Sequence, residues 1–200
     1  MKHLFLYEHF ETNANRYYDI TDIDALTEAL SEYYGDLTDT AADPTCQAIA
    51  NNAITRINTY LKFNKIHILW NNDTEGLPMR DGAEAIGMYI HSTATNSQPV
   101  FVLFEASIQK ECKGNPRSLR TAIEETIYHE LIHAMVDIDN AYIFKEDDDL
   151  LAFDDEEEYV EQIGRDFFDG HDLPDEIIKL ADLFHQKQWF DINDAYETSW

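Results

Sequence analysis

Apolar positions along the chain follow two patterns, one typical of helices and one typical of buried strands. Apolar residues three and four apart, together with capping residues, predict five helices. These helices cover residues 22–34, 44–63, 115–137 and 155–168, and the last begins at 174. The start at residue 44 is well marked, because the carboxylate of Asp43 can cap a helix and Pro44 suits its first position.

Three short runs of branched and aromatic residues lie between the predicted helices. They occupy residues 66–70, 85–90 and 100–104. Clusters of Asn, Asp, Gly, Pro and Ser separate them, as expected of turns between strands. Helices therefore flank a small block of strands, and this order predicts an α+β fold in a single domain.

The predicted helix that follows the strands carries the sequence His129-Glu130-Leu131-Ile132-His133. Residues four apart lie on one face of a helix, so both histidines can bind one metal ion through imidazole nitrogens. Glu130 is turned about 100° from His129, which lets its carboxylate reach a water bound to that ion. The pattern is typical of zinc hydrolases, in which the glutamate is the general base. A packed or solvent-facing histidine pair is the competing interpretation.

A catalytic zinc ion needs a third protein ligand and leaves one position for water. Glu157 is the leading candidate, because it lies on the inward stripe of the next predicted helix. That stripe is formed by Val160, Ile163, Gly164 and Phe167. Glu161, one turn after Glu157, can accept a hydrogen bond from a ligand histidine and so orient it. Glu158, Glu161 and His171 are further candidates for the third ligand.

The two histidines with Glu130, followed by Glu157 and Glu161, resemble the gluzincin pattern of zinc peptidases. The order of helix, strands, histidine helix and glutamate helix is similar to minimal gluzincins and ImmA/IrrE-like peptidases. The resemblance implies a compact zincin-like domain with a small mixed sheet. It also implies Zn²⁺ as cofactor and Glu130 as catalytic base. Glu161 departs from the pattern, because those families tend to carry Asp or Asn there.

The histidine helix also resembles that of SprT-like proteases. Those proteases use a third histidine soon after the motif, and residues 134–170 contain none, so this family fits less well. We therefore expect one zincin-like domain over residues 1–200. Its parts are a helical N-terminal part at 1–62, a catalytic core at 63–170 and a C-terminal helix at 171–200.

The resemblance further implies that the strand before the histidine helix forms the edge of the cleft. There Val102, Leu103 and Phe104 would bind the backbone of a substrate by strand addition. Pro99 at the start of this strand suits an edge position. An ordinary buried strand is an equally weighted interpretation, because five consecutive apolar residues suit burial on both faces.

Charge narrows the choice of partners. The 200 residues include 40 acidic and 14 basic ones, which gives a formal net charge of -26. Such a charge repels phosphate backbones and anionic lipids, so we expect neither nucleic acid nor a membrane surface as partner. The two cysteines, Cys46 and Cys112, and a start without a signal-peptide pattern predict free thiols and a cytoplasmic location.

Two functions follow from these features. The first is a zinc metallopeptidase acting on a protein or peptide, with a preference for basic substrates because residues 137–200 hold 21 acidic and 4 basic residues. The second is an acidic interaction or decoy protein that mimics nucleic acid or blocks a basic partner, with a structural or vestigial zinc site. Candidates for stabilising an oxyanion in the first case are Tyr142, Tyr159, Arg165 and His171.

Overall fold

The computed structural model describes residues 23–63, 65–72, 85–90, 99–143 and 156–185. Within these residues the chain is α+β, with six helices and a mixed sheet of four strands. In chain order the elements are α1 (Ile23–Tyr34), β1 (Leu37–Thr38), α2 (Pro44–Tyr60), β2 (His67–Asn71), β3 (Gly87–Ile90), β4 (Val100–Phe104), α3 (Glu105–Cys112), α4 (Pro116–Ile143), α5 (Glu156–Phe168) and α6 (Asp175–His185).

The five predicted helices and three predicted strands are confirmed, with ends that differ by a few residues. The cap of α2 is also confirmed, because the Asp43 carboxylate accepts a hydrogen bond from the backbone N–H of Thr45 at 2.7 Å. Two elements were not predicted. Strand β1 has only two residues, too few to show a period, and the eight-residue helix α3 follows β4 without any turn residue between them.

Strand β4 lies in the interior of the sheet, whose strand order is β1-β2-β4-β3. It pairs in parallel with β2 on one side and antiparallel with β3 on the other. The prediction that this strand forms a free edge, where Val102, Leu103 and Phe104 bind a substrate, is therefore wrong. The three side chains are at most 1% exposed. The run of five apolar residues reflects a strand that is covered on both faces.

The two faces of the sheet contribute to different hydrophobic clusters, because successive side chains of a strand point to opposite faces. The main cluster joins one face to α2, α4, α5 and α6, and it includes Ile68, Trp70, Phe101 and Leu103. The second cluster joins the other face to α1 and β1, and it includes Leu69, Val100, Val102 and Phe104. Helix α4, which carries both histidines of the motif, therefore packs directly on the sheet.

Both cysteines are free and buried, as expected from the sequence. Burial raises the pKa of the Cys46 thiol to about 12, and the nearby carboxylates of Glu105 and Asp43 contribute to that rise. Burial also raises the pKa of Cys112. These thiols therefore stay protonated at neutral pH and are poor nucleophiles. None of the helices that the structure describes is long and apolar enough to cross a membrane.

Glu105 ties the end of the central strand to the start of α2. It is the first residue of α3 and is 6% exposed. Its two carboxylate oxygens accept hydrogen bonds from the backbone N–H groups of Ala42 and Asp43, at 2.8 and 2.9 Å. These N–H groups directly precede Pro44, so the carboxylate compensates the positive end of α2. The contact spans more than sixty residues of sequence and fixes α2 against the sheet.

Replacing this carboxylate should lower the stability of the fold. We expect Glu105→Ala to reduce the free energy of unfolding by about 2 kcal/mol or more, because two hydrogen bonds to a charged, buried acceptor are lost. Glu105→Gln should have an intermediate effect, since an amide keeps one acceptor oxygen. Urea unfolding followed by circular dichroism measures the difference. Glu111→Ala, at an exposed position of the same helix, is the matched control. Equal effects of the Glu105 and Glu111 variants would contradict the role of this contact.

Candidate metal centre

Helix α4 presents His129 and His133 on one face, as their spacing predicts. The two Nε2 atoms are 3.0 Å apart, and the ring planes are inclined at 74°. The residues are 3% and 9% exposed, so their rings lie almost wholly inside the protein. Two imidazole nitrogens that point at the same place from adjacent turns can bind a single cation.

Helix α5 brings a carboxylate to the same place. Glu157, in its first turn, has Oε1 at 3.4 Å from Nε2 of His133 and Oε2 at 3.7 Å from Nε2 of His129. These three residues are the group of possible metal ligands found in the described part of the chain, and their donor atoms all lie within 4.8 Å of one another. The structure thus brings together the histidines and the glutamate that the sequence ranks first.

The spacing of these donors fits a tetrahedral metal ion. Two bonds of about 2.0–2.1 Å at the tetrahedral angle put neighbouring donor atoms about 3.3 Å apart. The observed separations of 3.0, 3.4 and 3.7 Å lie on both sides of that value. A cation between the three residues would therefore need only small side-chain adjustments.

The burial of one carboxylate oxygen also fits a bound cation. Oε1 of Glu157 has almost no solvent-accessible surface and no hydrogen-bond donor, although it faces Nε2 of His133. A buried anionic oxygen without a partner is costly, and buried polar atoms in proteins nearly always have one. A metal ion held by these three residues would account for the orphan oxygen.

Glu130 of the motif is a buried residue of α4. It is 3% exposed and follows His129 on α4. One residue along from His129, its side chain is turned about 100° from the histidine face, which suits exchange of a proton with a metal-bound water better than a ligand role. The structure therefore supplies a candidate base in addition to three candidate ligands.

Two glycines allow neighbouring elements to approach α4 closely. A Cβ atom on Gly164 of α5 would lie 3.2 Å from both the Cα and the N atom of His129. A Cβ atom on Gly87 of β3 would lie 2.3 Å from the Cγ2 atom of Thr126, one turn before the histidines. The glycines thus set the distance of the glutamate helix and of the outer strand from the histidine helix. A glycine inside a helical stripe is the sequence signal for such a contact.

Glu161 does not support a ligand histidine. Its side chain is 51% exposed and forms a hydrogen-bonded ion pair with Arg165, one turn along α5. The inward stripe of α5 consists of Val160, Gly164 and Phe167, and Glu161 lies about 90° from the centre of that stripe on a helix of about 3.6 residues per turn. The expectation for Glu161 is therefore corrected: the residue belongs to the outer surface of α5.

Glu158 and His171, which the sequence left open as third ligands, also lie outside the centre. Glu158 is exposed on α5. The side chain of His171 is 71% exposed, and its Nδ1 atom is 3.8 Å from a carboxylate oxygen of Asp166. Of the candidates for an oxyanion, Arg165 is paired with Glu161 on the surface.

The two tyrosines considered for the oxyanion are not placed at the centre by the described contacts. Tyr159 is half-buried against the main hydrophobic cluster. The side chain of Tyr142 lies outside the part of the chain whose side chains are described. Tyr128, which precedes the first histidine, is buried, and burial together with Glu124 raises the pKa of its phenol to about 12. It is therefore a neutral packing residue behind the centre.

The chain matches no protein-family model, and no curated protein or solved structure is detectably similar to it.

The close approach of β3 to α4 can be tested by mutation. We expect Gly87→Ala to lower the free energy of unfolding by about 1–3 kcal/mol, because the new methyl group would overlap the methyl group of Thr126 in a packed core. Thr126→Ser removes that methyl group and keeps the hydroxyl. The double variant should therefore lose about 1 kcal/mol less than the sum of the single variants, as measured by a double-mutant cycle in urea. Strict additivity would show that the two positions are not in contact.

Proposed function

We propose that this protein is a zinc-dependent metallopeptidase of the gluzincin type, with a zincin-like arrangement of its sheet and helices. The observation that supports this most directly is the convergence of His129, His133 and Glu157, whose donor atoms have tetrahedral spacing and include an unpartnered buried oxygen. Glu130, which is buried and follows His129 in the motif, supplies the general base that this proposal requires.

Each residue has a defined task in this proposal. The two imidazoles and the Glu157 carboxylate would hold the zinc ion. A zinc ion supplies Lewis acidity there, which makes water more acidic and a peptide carbonyl more electrophilic. Glu130 accepts the proton that the attacking water loses, and then donates it to the departing amine nitrogen.

The substrate strand is better assigned to β3 than to β4. Among the described strands β3 lies at the edge of the sheet next to α4, and β4 is its only partner in the sheet. Edge strands offer backbone N–H and C=O groups that can pair with an extended peptide. The contact between Gly87 and Thr126 holds this edge close to the histidine helix. We therefore propose that a substrate backbone adds to the edge of β3 on which no strand lies among the described residues.

Zinc analysis tests the ligand set directly. We expect the wild-type protein to bind one zinc ion, and His129→Ala, His133→Ala and Glu157→Ala each to weaken zinc binding by roughly a hundredfold or more. Mutation of a residue that only orients a metal ligand typically lowers metal affinity about 10–100-fold, so removal of the ligand itself should lower the affinity further. Elemental analysis and titration with a competing chelator measure this, with Glu158→Ala as the matched control on the same helix turn. Wild-type zinc content in Glu157→Ala would remove that residue from the site.

The catalytic role is tested separately with Glu130→Gln. This variant should keep its zinc and lose peptide cleavage by about a factor of 100 to 10,000, the range typical of a lost general base. A library of quenched fluorescent peptides, with the His133→Ala protein as background, measures cleavage. The alternative, an acidic interaction protein, predicts a different result. In that case wild type and Glu130→Gln both bind zinc and the same basic partner, and neither protein cleaves that partner or any peptide.

The acidic surface predicts a preference for basic substrates. Helix α5 places Glu158 and Glu161 on its exposed side, beside the proposed ligand Glu157, and residues 137–200 are strongly acidic. We expect a peptide flanked by lysines to be cleaved about ten times faster than its glutamate-flanked counterpart at about 50 mM salt. The ratio should approach one at about 0.5 M salt, because the screening length falls from over ~10 Å to about 4 Å. Neutralising both glutamates to glutamine should reduce the ratio. If the ratio of the two cleavage rates were the same at both salt concentrations, attraction of the substrate by the acidic surface would be contradicted.

A further inference from the structure

Arg56 of α2 lies between the histidine helix and the glutamate helix. Its guanidinium carbon is 4.2 Å from the ring centre of Phe167 and 5.5 Å from the ring centre of Tyr128. The two rings meet edge to face, with their centres 4.7 Å apart. One guanidinium nitrogen also approaches the backbone carbonyl of Phe168, the last residue of α5, at 3.4 Å. One cation thus contacts α4 and α5 together.

These contacts lie where they can fix the direction of α5. The helix touches α4 at Gly164, whose Cα packs against the backbone of His129, and again at Phe167, one turn later. A rigid helix keeps its direction only when it is held at two separate points along its length. Arg56 stabilises the second of these points through cation–π contacts and through the negative end of the helix dipole.

The direction of α5 determines the position of Glu157. Glu157 precedes the contact at Gly164 by about two turns, which corresponds to about 10 Å along the helix axis. A tilt of about 10° around that contact would move the start of the helix by about 2 Å, whereas metal–ligand distances tolerate deviations of only about 0.2 Å. Side-chain rotation can recover part of such a shift, but only by leaving the preferred rotamer of a half-buried glutamate.

We infer that Arg56 is a positioning residue for the metal centre, which aligns α5 so that the Glu157 carboxylate meets the two imidazoles. This inference depends on the metal site proposed above and adds a residue that has no contact with the ion itself. Within the described residues no carboxylate is paired with Arg56, so its role does not reduce to an ordinary surface ion pair. The residue acts through ring faces and a carbonyl that belong to the two helices carrying the ligands.

The test compares zinc affinity with stability in four proteins: wild type, Arg56→Met, Arg56→Lys and Tyr60→Phe. Methionine keeps an apolar chain of similar length and removes the charge, while lysine keeps a charge that can lie over one ring. Tyr60→Phe is the matched control. The Tyr60 hydroxyl donates to Asp172 in the loop after α5, at 2.8 Å, and its ring packs edge to face on Phe167. This variant loosens the same end of α5 without removing the bridge to α4.

Zinc dissociation constants are measured with a competing chromogenic chelator, at a temperature where circular dichroism shows each protein to be folded. Urea unfolding of the metal-free proteins is measured in parallel. We expect Arg56→Met to raise the zinc dissociation constant at least tenfold and Arg56→Lys to raise it less. Tyr60→Phe should stay within about twofold of wild type even if it is less stable. A general loss of stability would lower the unfolding midpoints but leave the affinity of the folded protein unchanged.

The outcomes separate this inference from the function on which it rests. If wild type binds zinc and folded Arg56→Met and Arg56→Lys bind it equally well, Arg56 has no positioning role, and the peptidase proposal is unaffected. If Tyr60→Phe weakens zinc binding as much as Arg56→Met does, the effect belongs to the end of α5 in general and the specific role of Arg56 is excluded. If wild type binds no zinc, the proposed function and the positioning role are both refuted. Should Arg56→Met not fold, Arg56→Lys decides the question.

Discussion

The close contact between α4 and α5 is the constraint on which the candidate centre depends. A hydrogen atom in place of a side chain at Gly164 lets the backbone of α5 lie against the backbone of His129. At that distance the first turn of α5 reaches the histidine face of α4, and a glutamate there can share a cation with two imidazoles. A larger residue at position 164 would push the two helices apart by a few tenths of an ångström and so disturb the alignment of the three donor groups.

Helix α4 contributes both apolar side chains and polar histidines to the interior of the protein. It fills the main hydrophobic core with residues such as Ile127, Leu131 and Ile132, yet it also buries His129 and His133. Burial of polar groups opposes folding unless each has a partner. A divalent ion would engage both imidazoles and the orphan oxygen of Glu157 together, so metal binding and folding would stabilise one another. The proposed chemistry and the packing of the core are therefore properties of one helix.

Sequence reasoning found what depends on local periodicity and missed what depends on the order of strands. The spacing of the two histidines and the stripe that begins at Glu157 are set by one helix each, and both are seen in the structure. The position of β4 is different, because no feature within five apolar residues tells which strands lie beside it. The prediction that Glu161 orients a ligand histidine failed because of its position around the helix. Glu157 itself lies at the rim of the buried stripe, with a side chain that is 40% exposed, so the position one turn later already faces solvent.

Contacts between segments that are distant in the chain also could not be predicted from the sequence. Arg56 looks like any cation on an amphipathic helix until α2 is seen against α4 and α5. Glu105 looks like the end of a strand, whereas it begins a short helix and holds the start of α2. Gly87 and Gly164 carried a weak signal, because a glycine inside a strand or helix needs a reason. The structure identifies that reason as close approach to α4 in both cases.

The strand order has a consequence for how the molecule assembles. Strands β2 and β3 precede β4 in the chain but are hydrogen-bonded to it and not to each other. A nascent chain that ends before residue 100 therefore contains β2 and β3 but lacks the strand to which both form hydrogen bonds. Completion of the sheet requires β4, which lies between them and is followed directly by Glu105, whose carboxylate binds the segment before α2. Completion of the sheet and fixing of the first long helix against it therefore depend on the same late segment of the chain, and the edges of β2 and β3 that face β4 stay unpaired until that segment is present.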